Sequence, residues 1–330
     1  MLLATGAIIL GFIILVWGAD RFVMGAAALA RDLGISPLLI GLTVVGFGTS
    51  APEILVSAMA AVQGNPGLAV GNAVGSNIAN IGLILGVTAL TAPLFYKSDV
   101  LRHEYPMLLG VSIAVYLLLL DGQLGRLDGA ILAAGLVLVL YLMVRIGRKR
   151  AGRAKADPMQ AEFDAEIRTD LSVFAALMWT FGGLALLLVS SRMLVWGAVE
   201  IAVAFGVSDL VIGLTIVAIG TSLPELAAGI MSALKNEHDI AVGNVIGSNI
   251  YNLLAVLAVP GLFAPTLVEN AVLTRDMPIM LGLTLALLLM GRSRDGSGHI
   301  NRIEGALLLV FFIGYQAWLY LDAQPQLAAA

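Results

Sequence analysis

The sequence predicts an all-α membrane protein with about ten transmembrane helices in two inverted five-helix repeats. Three observations predict this fold. Apolar residues make up 59% of the 330 residues and charged residues only 12%, with a mean hydropathy of +0.97, whereas soluble domains average about 25% charged residues. The apolar residues form runs that are long enough to cross a bilayer, which takes roughly 20 residues. A polar pair of motifs occurs twice along the chain.

The apolar runs place the helices in two sets of five, on either side of one polar stretch. The first set is expected near residues 2–30, 38–62, 68–92, 104–121 and 127–146, and the second near 173–204, 210–234, 240–263, 274–291 and 303–321. The expected units are a first repeat at 1–146, a linker at 147–172 and a second repeat at 173–330. The N-terminal run lacks a basic segment and a cleavage site, so we expect the first transmembrane helix there and not a cleaved signal peptide.

The linker also predicts the orientation of the chain. Basic side chains concentrate between Arg145 and Lys155, and Lys and Arg in short loops stay in the cytoplasm. A cytoplasmic linker leaves both termini outside, in what we expect to be a bacterial inner membrane. Because each repeat has an odd number of spans, the second repeat enters from the opposite side, and both copies of the motif pair meet near the midplane.

The duplicated motif pair carries polar residues into otherwise apolar helices. Its first part, Gly-Thr-Ser-x-Pro-Glu, ends at Glu53 and again at Glu225, and its second part, Gly-Asn-x-x-Gly-Ser-Asn-Ile-x-Asn, ends at Asn80 and Asn252. The second copy follows the first by 172 positions in both parts. Ionisable residues inside membrane helices usually mark a pathway or a binding site, and a duplicated set indicates a transporter built from repeats.

Proline in the first part of the motif predicts a kinked helix with free backbone oxygens. Pro52 and Pro224 have no N–H, so carbonyls such as those of Gly48 and Thr49 lose their intrahelical donor. In hydrocarbon such carbonyls are tolerated only where another group satisfies them, and a bound cation is one such group.

The oxygen donors of the motifs predict a site for a hard cation. Serine and asparagine four residues apart in the second part share one helix face. Carboxylate, hydroxyl and amide oxygens suit Ca²⁺ and Na⁺, and two carboxylates balance one Ca²⁺ or hold Na⁺ ions or protons instead. Competition between such ions for one site is the physical basis of antiport. The expected donors are Glu53, Glu225, Thr49, Thr221, Ser50, Ser222, Ser76, Ser248, Asn80 and Asn252.

A structural role remains open for some of these polar residues. Buried serines and asparagines often join helices in membranes, and for Ser50, Ser222, Asn72 and Asn244 taken singly this role is an equal alternative. It does not fit Glu53 or Glu225 equally well, because a buried carboxylate needs a compensating charge.

Composition excludes several other functions. The chain has no cysteine, so disulfides, thiol catalysis and thiolate metal sites are excluded. It has no basic stripe for nucleic acid, and no histidine lies near Ser50 or Ser222 to activate a nucleophile. We therefore expect no enzyme and no cofactor, with the lipid bilayer and the transported Ca²⁺ and Na⁺ as partners and the oligomeric state left open.

The duplicated residues resemble the two alpha-repeats of the cation/Ca²⁺ exchanger superfamily, most closely its prokaryotic Na⁺/Ca²⁺ exchanger branch. The resemblance extends along nearly the whole chain. It implies ten helices in two inverted repeats, without a separate regulatory domain. Position by position, the resemblance implies that the ten residues listed above are the ion ligands. It adds two backbone carbonyls, that of Ala218 and that of Gly46, which occupies the equivalent position of the first repeat.

The resemblance implies a secondary-active antiporter that exchanges Na⁺ for Ca²⁺ by alternating access at a midplane site. Some microbial members carry an aspartate at one of the positions of Asn80 and Asn252, so this chain has one titratable carboxylate fewer. This difference leaves stoichiometry and driving ion open. The alternatives are Ca²⁺/H⁺ exchange, K⁺-dependent Na⁺/Ca²⁺ exchange and, more remotely, a passive cation channel, which a closed inverted repeat within one chain disfavours.

Overall fold

The computed structural model describes residues 1–32, 37–64, 66–96, 98–154, 171–204, 218–290 and 298–327, most of which are helical. The first half contains α1 (Leu2–Asp32), α2 (37–49), α3 (Ala51–Val62), α4 (Pro66–Thr91), α5 (Ser98–Leu118) and α6 (Arg126–Ala154). The second half contains α7 (Val173–Ala204), α8 (Ala218–Thr221), α9 (Leu223–Leu234), α10 (His238–Phe263), α11 (Val272–Met290) and α12 (Arg302–Leu327).

The apolar helices agree with a protein that crosses a membrane several times. Among the described residues, seven helices are long and apolar enough to span a bilayer, or eight if the bent pair α2 and α3 is one span. Two further expected spans appear as shorter apolar helices, Glu104–Leu118 and Leu223–Leu234. Residues 210–217 of the helix expected at 210–234 lie outside the described residues.

The kink expected from proline is present, and it divides the helix in two. α2 and α3 meet at Ser50 with a bend of 46°, and Pro52 lies in the first turn of α3. Proline is tolerated there because an N–H in the first turn has no intrahelical partner. Ser222 divides α8 from α9 in the same way, with Pro224 in the first turn of α9.

A π turn begins α11 at Val272–Asp276, and three more interrupt described helices that were expected to be regular. They lie at Gly41–Val45 in α2, at Asn80–Leu85 in α4 and at Asn252–Val256 in α10. The two in α4 and α10 begin at the asparagines that end the duplicated motif. π turns inside α-helices are frequent at functional sites, and here they mark the centre of the molecule.

α4 and α10 lie at the centre of the helix bundle, and α1 and α7 lie side by side at its edge. The most apolar segments of α4 and α10 are 78% and 83% buried, against 28% for both α1 and α7. Glycine allows α1 and α7 to approach closely, because a Cβ built on Gly183 would stand 2.6 Å from the backbone nitrogen of Phe22. Small residues have this role in membrane helix packing.

Two short antiparallel strand pairs, which the sequence did not predict, connect the two halves. β1 (Leu94–Tyr96) pairs with β4 (Gly298–Ile300), and β2 (Gln123–Leu124) pairs with β3 (Thr266–Leu267). Each pair joins a loop of the first half to a loop of the second half, so the loops support the packing of the central helices.

Candidate functional site

The two copies of the Thr-Ser-x-Pro-Glu segment meet inside the protein. Glu53 lies in the first turn of α3 and Glu225 in the first turn of α9, and each residue is only 1% exposed. A negative charge is favoured at a helix N-terminus by the helix dipole. The two carboxyl groups are close enough to interact electrostatically, so the site holds two like ionisable groups in a buried setting.

Each carboxylate contacts the hydroxyls of the other repeat. The Ser50 hydroxyl donates to Glu225 with an Oγ–Oε1 distance of 3.4 Å, and Thr49 lies against the same carboxylate. Thr221 and Ser222 contact Glu53 in the reciprocal arrangement. The carboxylate environment is therefore complete only when both halves of the chain are folded together.

Asparagine side chains hold the backbone of both glutamates. The Asn72 side-chain amide donates to the Glu53 carbonyl at 3.2 Å, and the Asn244 amide donates to the Glu225 carbonyl at 3.3 Å. The Asn244 side-chain oxygen in turn accepts a hydrogen bond from Thr49 at 3.0 Å. The pattern occurs once in each repeat, so these two asparagines position the carboxylates.

The second part of the motif brings α4 and α10 to the same place. The Asn80 amide donates to the Asn249 side-chain oxygen at 2.9 Å, and Ser248 donates to the Gly46 carbonyl at 3.4 Å. Asn249 was not among the expected site residues. Its signal was available, because it lies within the duplicated Gly-Ser-Asn-Ile segment.

Four buried oxygens of this site have no hydrogen-bond donor in the described part of the chain. They are Oε2 of Glu53 and Glu225 and Oδ1 of Asn80 and Asn252. We call these residues, with the hydroxyl residues Thr49, Ser50, Thr221 and Ser222, the central cluster. All four oxygens are acceptors, and they come in matching pairs from the two repeats.

No cationic side chain among the described residues pairs with either central carboxylate. The ion pairs lie elsewhere, for example between Lys235 and Asp20 at 2.7 Å and between Arg275 and Asp276 at 2.8 Å. An unpaired buried acceptor costs about 1–3 kcal/mol, and a buried charge costs more. A bound cation would therefore stabilise this set of oxygens.

Neutral oxygens must supply the ligands beyond the two carboxylates. The described residues contain no group of three or more His, Cys, Asp or Glu residues that could hold a metal ion.

The structure restricts the part that backbone carbonyls can play. The Gly46 carbonyl already accepts from the Ser50 N–H at 3.1 Å and from Ser248. The Gly220 carbonyl, the one expected to lose its donor to Pro224, instead accepts a hydrogen bond from Ser191 of α7 at 2.6 Å. A hydroxyl from another helix therefore replaces the missing N–H at Gly220, and the free oxygen expected there is not free.

All twelve expected ligands remain predictions as ion ligands, and two of them have no part in the contacts and unpaired oxygens described above. Ser76 lies one turn before Asn80 in α4 and is 7% exposed, and Ala218 is the first residue of α8.

Near the central cluster, the equivalent residues of α4 and α10 differ in their exposure to solvent. Gly71 is exposed and Asn72 half-buried, whereas their mates Gly243 and Asn244 are buried. A Cβ built on Gly247 would stand 2.5 Å from the Leu42 carbonyl oxygen, while one built on Gly75 meets nothing within 4 Å. Among the residues that the structure describes, α2 therefore closes the face of α10, and none closes the matching face of α4 at Gly75.

Comparison with known proteins agrees with this geometry. The sodium/calcium exchanger protein family matches residues 3–145 and again residues 175–321. The chain belongs to the sodium/calcium exchanger family. Two matched segments in one chain are what the duplicated motif predicted, so the resemblance seen in the sequence is confirmed.

Relatives in this family match nearly the full length of the chain. Inner membrane protein YrbG of Escherichia coli is 44% identical over 97% of this chain and 98% of its own length. Sodium/calcium exchanger MaX1 of Methanosarcina acetivorans is 31% identical over 95% of this chain and 97% of its own length. Ca(2+)/H(+) antiporter ChaA of Bacillus subtilis is 28% identical over 88% of this chain and 85% of its own length.

A solved structure has the same fold. The sodium-calcium exchanger NCX_Mj superposes with a TM-score of 0.82 at 34% identity, and the match covers 96% of this chain and 98% of that chain. The chain is therefore a helical membrane protein with the fold of that exchanger.

Proposed function

We propose that this protein is a secondary-active antiporter that exchanges Na⁺ for Ca²⁺ at the central cluster by alternating access. The observation that carries the proposal is the set of four buried, unpaired acceptor oxygens, two of them on carboxylates without a cationic partner in the described residues. Two carboxylates match the charge of one Ca²⁺, and the neutral oxygens complete a shell of the kind that Ca²⁺ prefers. Because Na⁺ would use the same oxygens, the two ions exclude each other, and this exclusion couples their movement.

The rival function is Ca²⁺/H⁺ exchange, which is favoured by the Bacillus subtilis relative. Both carboxylates accept protons in principle. With Na⁺ as the driving ion, the unpaired amide oxygens of Asn80 and Asn252 have a ligand in both halves of the cycle, since an amide ligates Na⁺ as well as Ca²⁺ but does not take up a proton near neutral pH. Methanosarcina acetivorans MaX1 supports the same choice.

The membrane arrangement is part of the proposal. It comprises ten spans in two inverted repeats, at 1–146 and 173–330, with residues 147–172 as a cytoplasmic linker and both termini outside a bacterial inner membrane. The reciprocal contacts of the two carboxylates and the matching strand pairs support an internal two-fold axis. In this orientation the open face at Gly71 is directed outward and the closed face at Gly247 toward the cytoplasm.

An imposed Na⁺ gradient is expected to drive Ca²⁺ flux at clamped pH. The purified protein would be placed in proteoliposomes, and uptake of radioactive Ca²⁺ followed with Na⁺, K⁺ or choline inside. The proposal requires uptake with internal Na⁺ alone and none from a pH gradient without Na⁺. Uptake driven by the pH gradient and indifferent to Na⁺ would establish the rival function.

Cysteines placed at equivalent positions in the two repeats are expected to react from opposite sides. Gln63 follows α3 and Lys235 follows α9, 172 positions later, and the chain has no native cysteine. In intact cells, a membrane-impermeant maleimide should label Gln63→Cys, whereas Lys235→Cys should react only after the membrane is opened. Labelling of both variants in intact cells would contradict the inverted arrangement.

A further inference from the structure

Two buried hydroxyls outside the central cluster have no partner in the part of the chain that the structure describes. They belong to Thr88 in α4 and Ser232 in α9, and both residues are 1% exposed. We propose that these hydroxyls form an additional, transient Na⁺ site between the central cluster and the cytoplasm. This inference rests on the proposed exchange function.

The two hydroxyls lie on the helix faces that carry the central cluster. In α9, Ser232 follows Glu225 by seven residues, which is about two turns of an α-helix. In α4, Thr88 follows Asn80 by eight residues, and the π turn between them widens the helix so that these eight residues also make about two turns. An ion leaving the central cluster along these faces passes both hydroxyls.

α4 and α9 are in contact at this level. A Cβ built on Gly229 of α9 would stand 3.1 Å from the Thr88 hydroxyl oxygen and 3.5 Å from a methyl group of Ile84. Gly229 lies between Glu225 and Ser232 along α9, and its missing side chain leaves the Thr88 hydroxyl directed at the interface. The oxygen therefore faces the interface between α4 and α9.

Buried hydroxyls in α5, α7 and α11 are paired in the ordinary way. Ser112, Thr180 and Thr284 each donate to the carbonyl four residues earlier, at 2.8–2.9 Å. Thr88 and Ser232 do not, although such a bond satisfies most hydroxyls in membrane helices. An unpaired buried hydroxyl destabilises the fold, so its presence on both of two helices that pack together indicates a ligand.

The internal repeat shows that these hydroxyls belong to one side of the membrane. At the equivalent positions in the other repeat, Thr88 corresponds to Pro260 and Ser232 to Ala60. Gly229 corresponds to Ser57, whose hydroxyl is already used by the Val256 carbonyl at 2.9 Å. A packing requirement common to both repeats would have produced hydroxyls in both, so the feature is specific to the side expected to be cytoplasmic.

The chemistry of the site selects a monovalent cation. Hydroxyl oxygens are hard but neutral, and Thr88 and Ser232 bring no carboxylate with them. Ca²⁺ sites in proteins rely on carboxylate ligands, whereas Na⁺ that keeps part of its water requires less compensating charge. We therefore expect the site to affect Na⁺ on the cytoplasmic side and to leave Ca²⁺ binding at the central cluster unchanged.

The test compares Thr88→Val, Ser232→Ala and their combination with the wild type in right-side-out and inside-out membrane vesicles. Ser57→Ala is the control, because it removes a paired hydroxyl on the outer side, at the position that corresponds to Gly229. In the double variant we expect the half-saturating cytoplasmic Na⁺ concentration to rise about two- to tenfold, because the substitutions remove the two hydroxyl oxygens that would bind Na⁺. The external Na⁺ dependence and the Ca²⁺ dependence on both sides should match those of the wild type.

Two further measurements separate a ligand role from a structural one. The melting temperature of the double variant should stay unchanged or rise, because two unpaired hydroxyls are removed. The single variant Thr88→Ser keeps a hydroxyl at this position, so its cytoplasmic Na⁺ dependence should match that of the wild type. An unchanged cytoplasmic Na⁺ dependence, or an equal change on both sides, would overturn the site while leaving the exchange function intact. Absence of Na⁺-driven Ca²⁺ flux in the wild type would overturn both proposals.

Discussion

Glu53→Gln and Glu225→Gln are each expected to abolish Ca²⁺ exchange. Glutamine keeps the size of the side chain and one oxygen but removes one of the two negative charges. At 4 Å and an effective dielectric constant of about 20, a single pair of unit charges is worth about 4 kcal/mol, or about a thousandfold in affinity. Because both carboxylates are buried and contact the hydroxyls of the opposite repeat, neither can replace the other.

Uptake of radioactive Ca²⁺ and equilibrium Ca²⁺ binding check this expectation together. Glu269→Gln is the matched control, since Glu269 is exposed and lies in the loop before α11. The two central variants should remain folded, because each substitution also relieves the repulsion between the carboxylates. Near-normal uptake by either central variant would exclude a shared two-carboxylate site.

Gly247→Ala is expected to be strongly destabilising, and Gly75→Ala is not. The two glycines occupy the same position of the duplicated motif, 172 residues apart. A Cβ on Gly247 would meet the backbone of Leu42 at 2.5–3.0 Å, whereas a Cβ on Gly75 meets no described residue within 4 Å. Backbone cannot rotate away as a side chain can, so α2 and α10 must separate, at an expected cost of about 1–3 kcal/mol in the free energy of unfolding.

Thermal unfolding in detergent and Ca²⁺ binding measure the difference between the two glycine variants. Gly247→Ala should lower the melting temperature and weaken Ca²⁺ binding, since the next residue, Ser248, donates to the Gly46 carbonyl across the same interface. Gly75→Ala should keep both values near those of the wild type. Equal effects at both positions would show that the closed and open faces are not distinct.

The sequence was sufficient to single out most of the polar residues that the structure brings together around the two carboxylates. Carboxylates, prolines and asparagines are conspicuous within apolar helices, and their repetition after 172 positions identifies them as a set. The positions of most helices and the break near Pro52 also follow from the sequence, because spans depend on the length of apolar runs and kinks on the missing N–H of proline. These are local properties, and residues close in the chain determine them.

Which oxygens are available to an ion was decided only by the tertiary structure. The Gly220 carbonyl, freed by Pro224, is taken by Ser191 from another helix, and Asn80 is held by Asn249, 169 positions away. The reciprocal contact of Ser50 with Glu225 joins residues 175 positions apart. A hydrogen bond is a matter of a few tenths of an ångström and a suitable angle, so whether an acceptor is already paired depends on how distant helices pack and is not encoded in any local pattern.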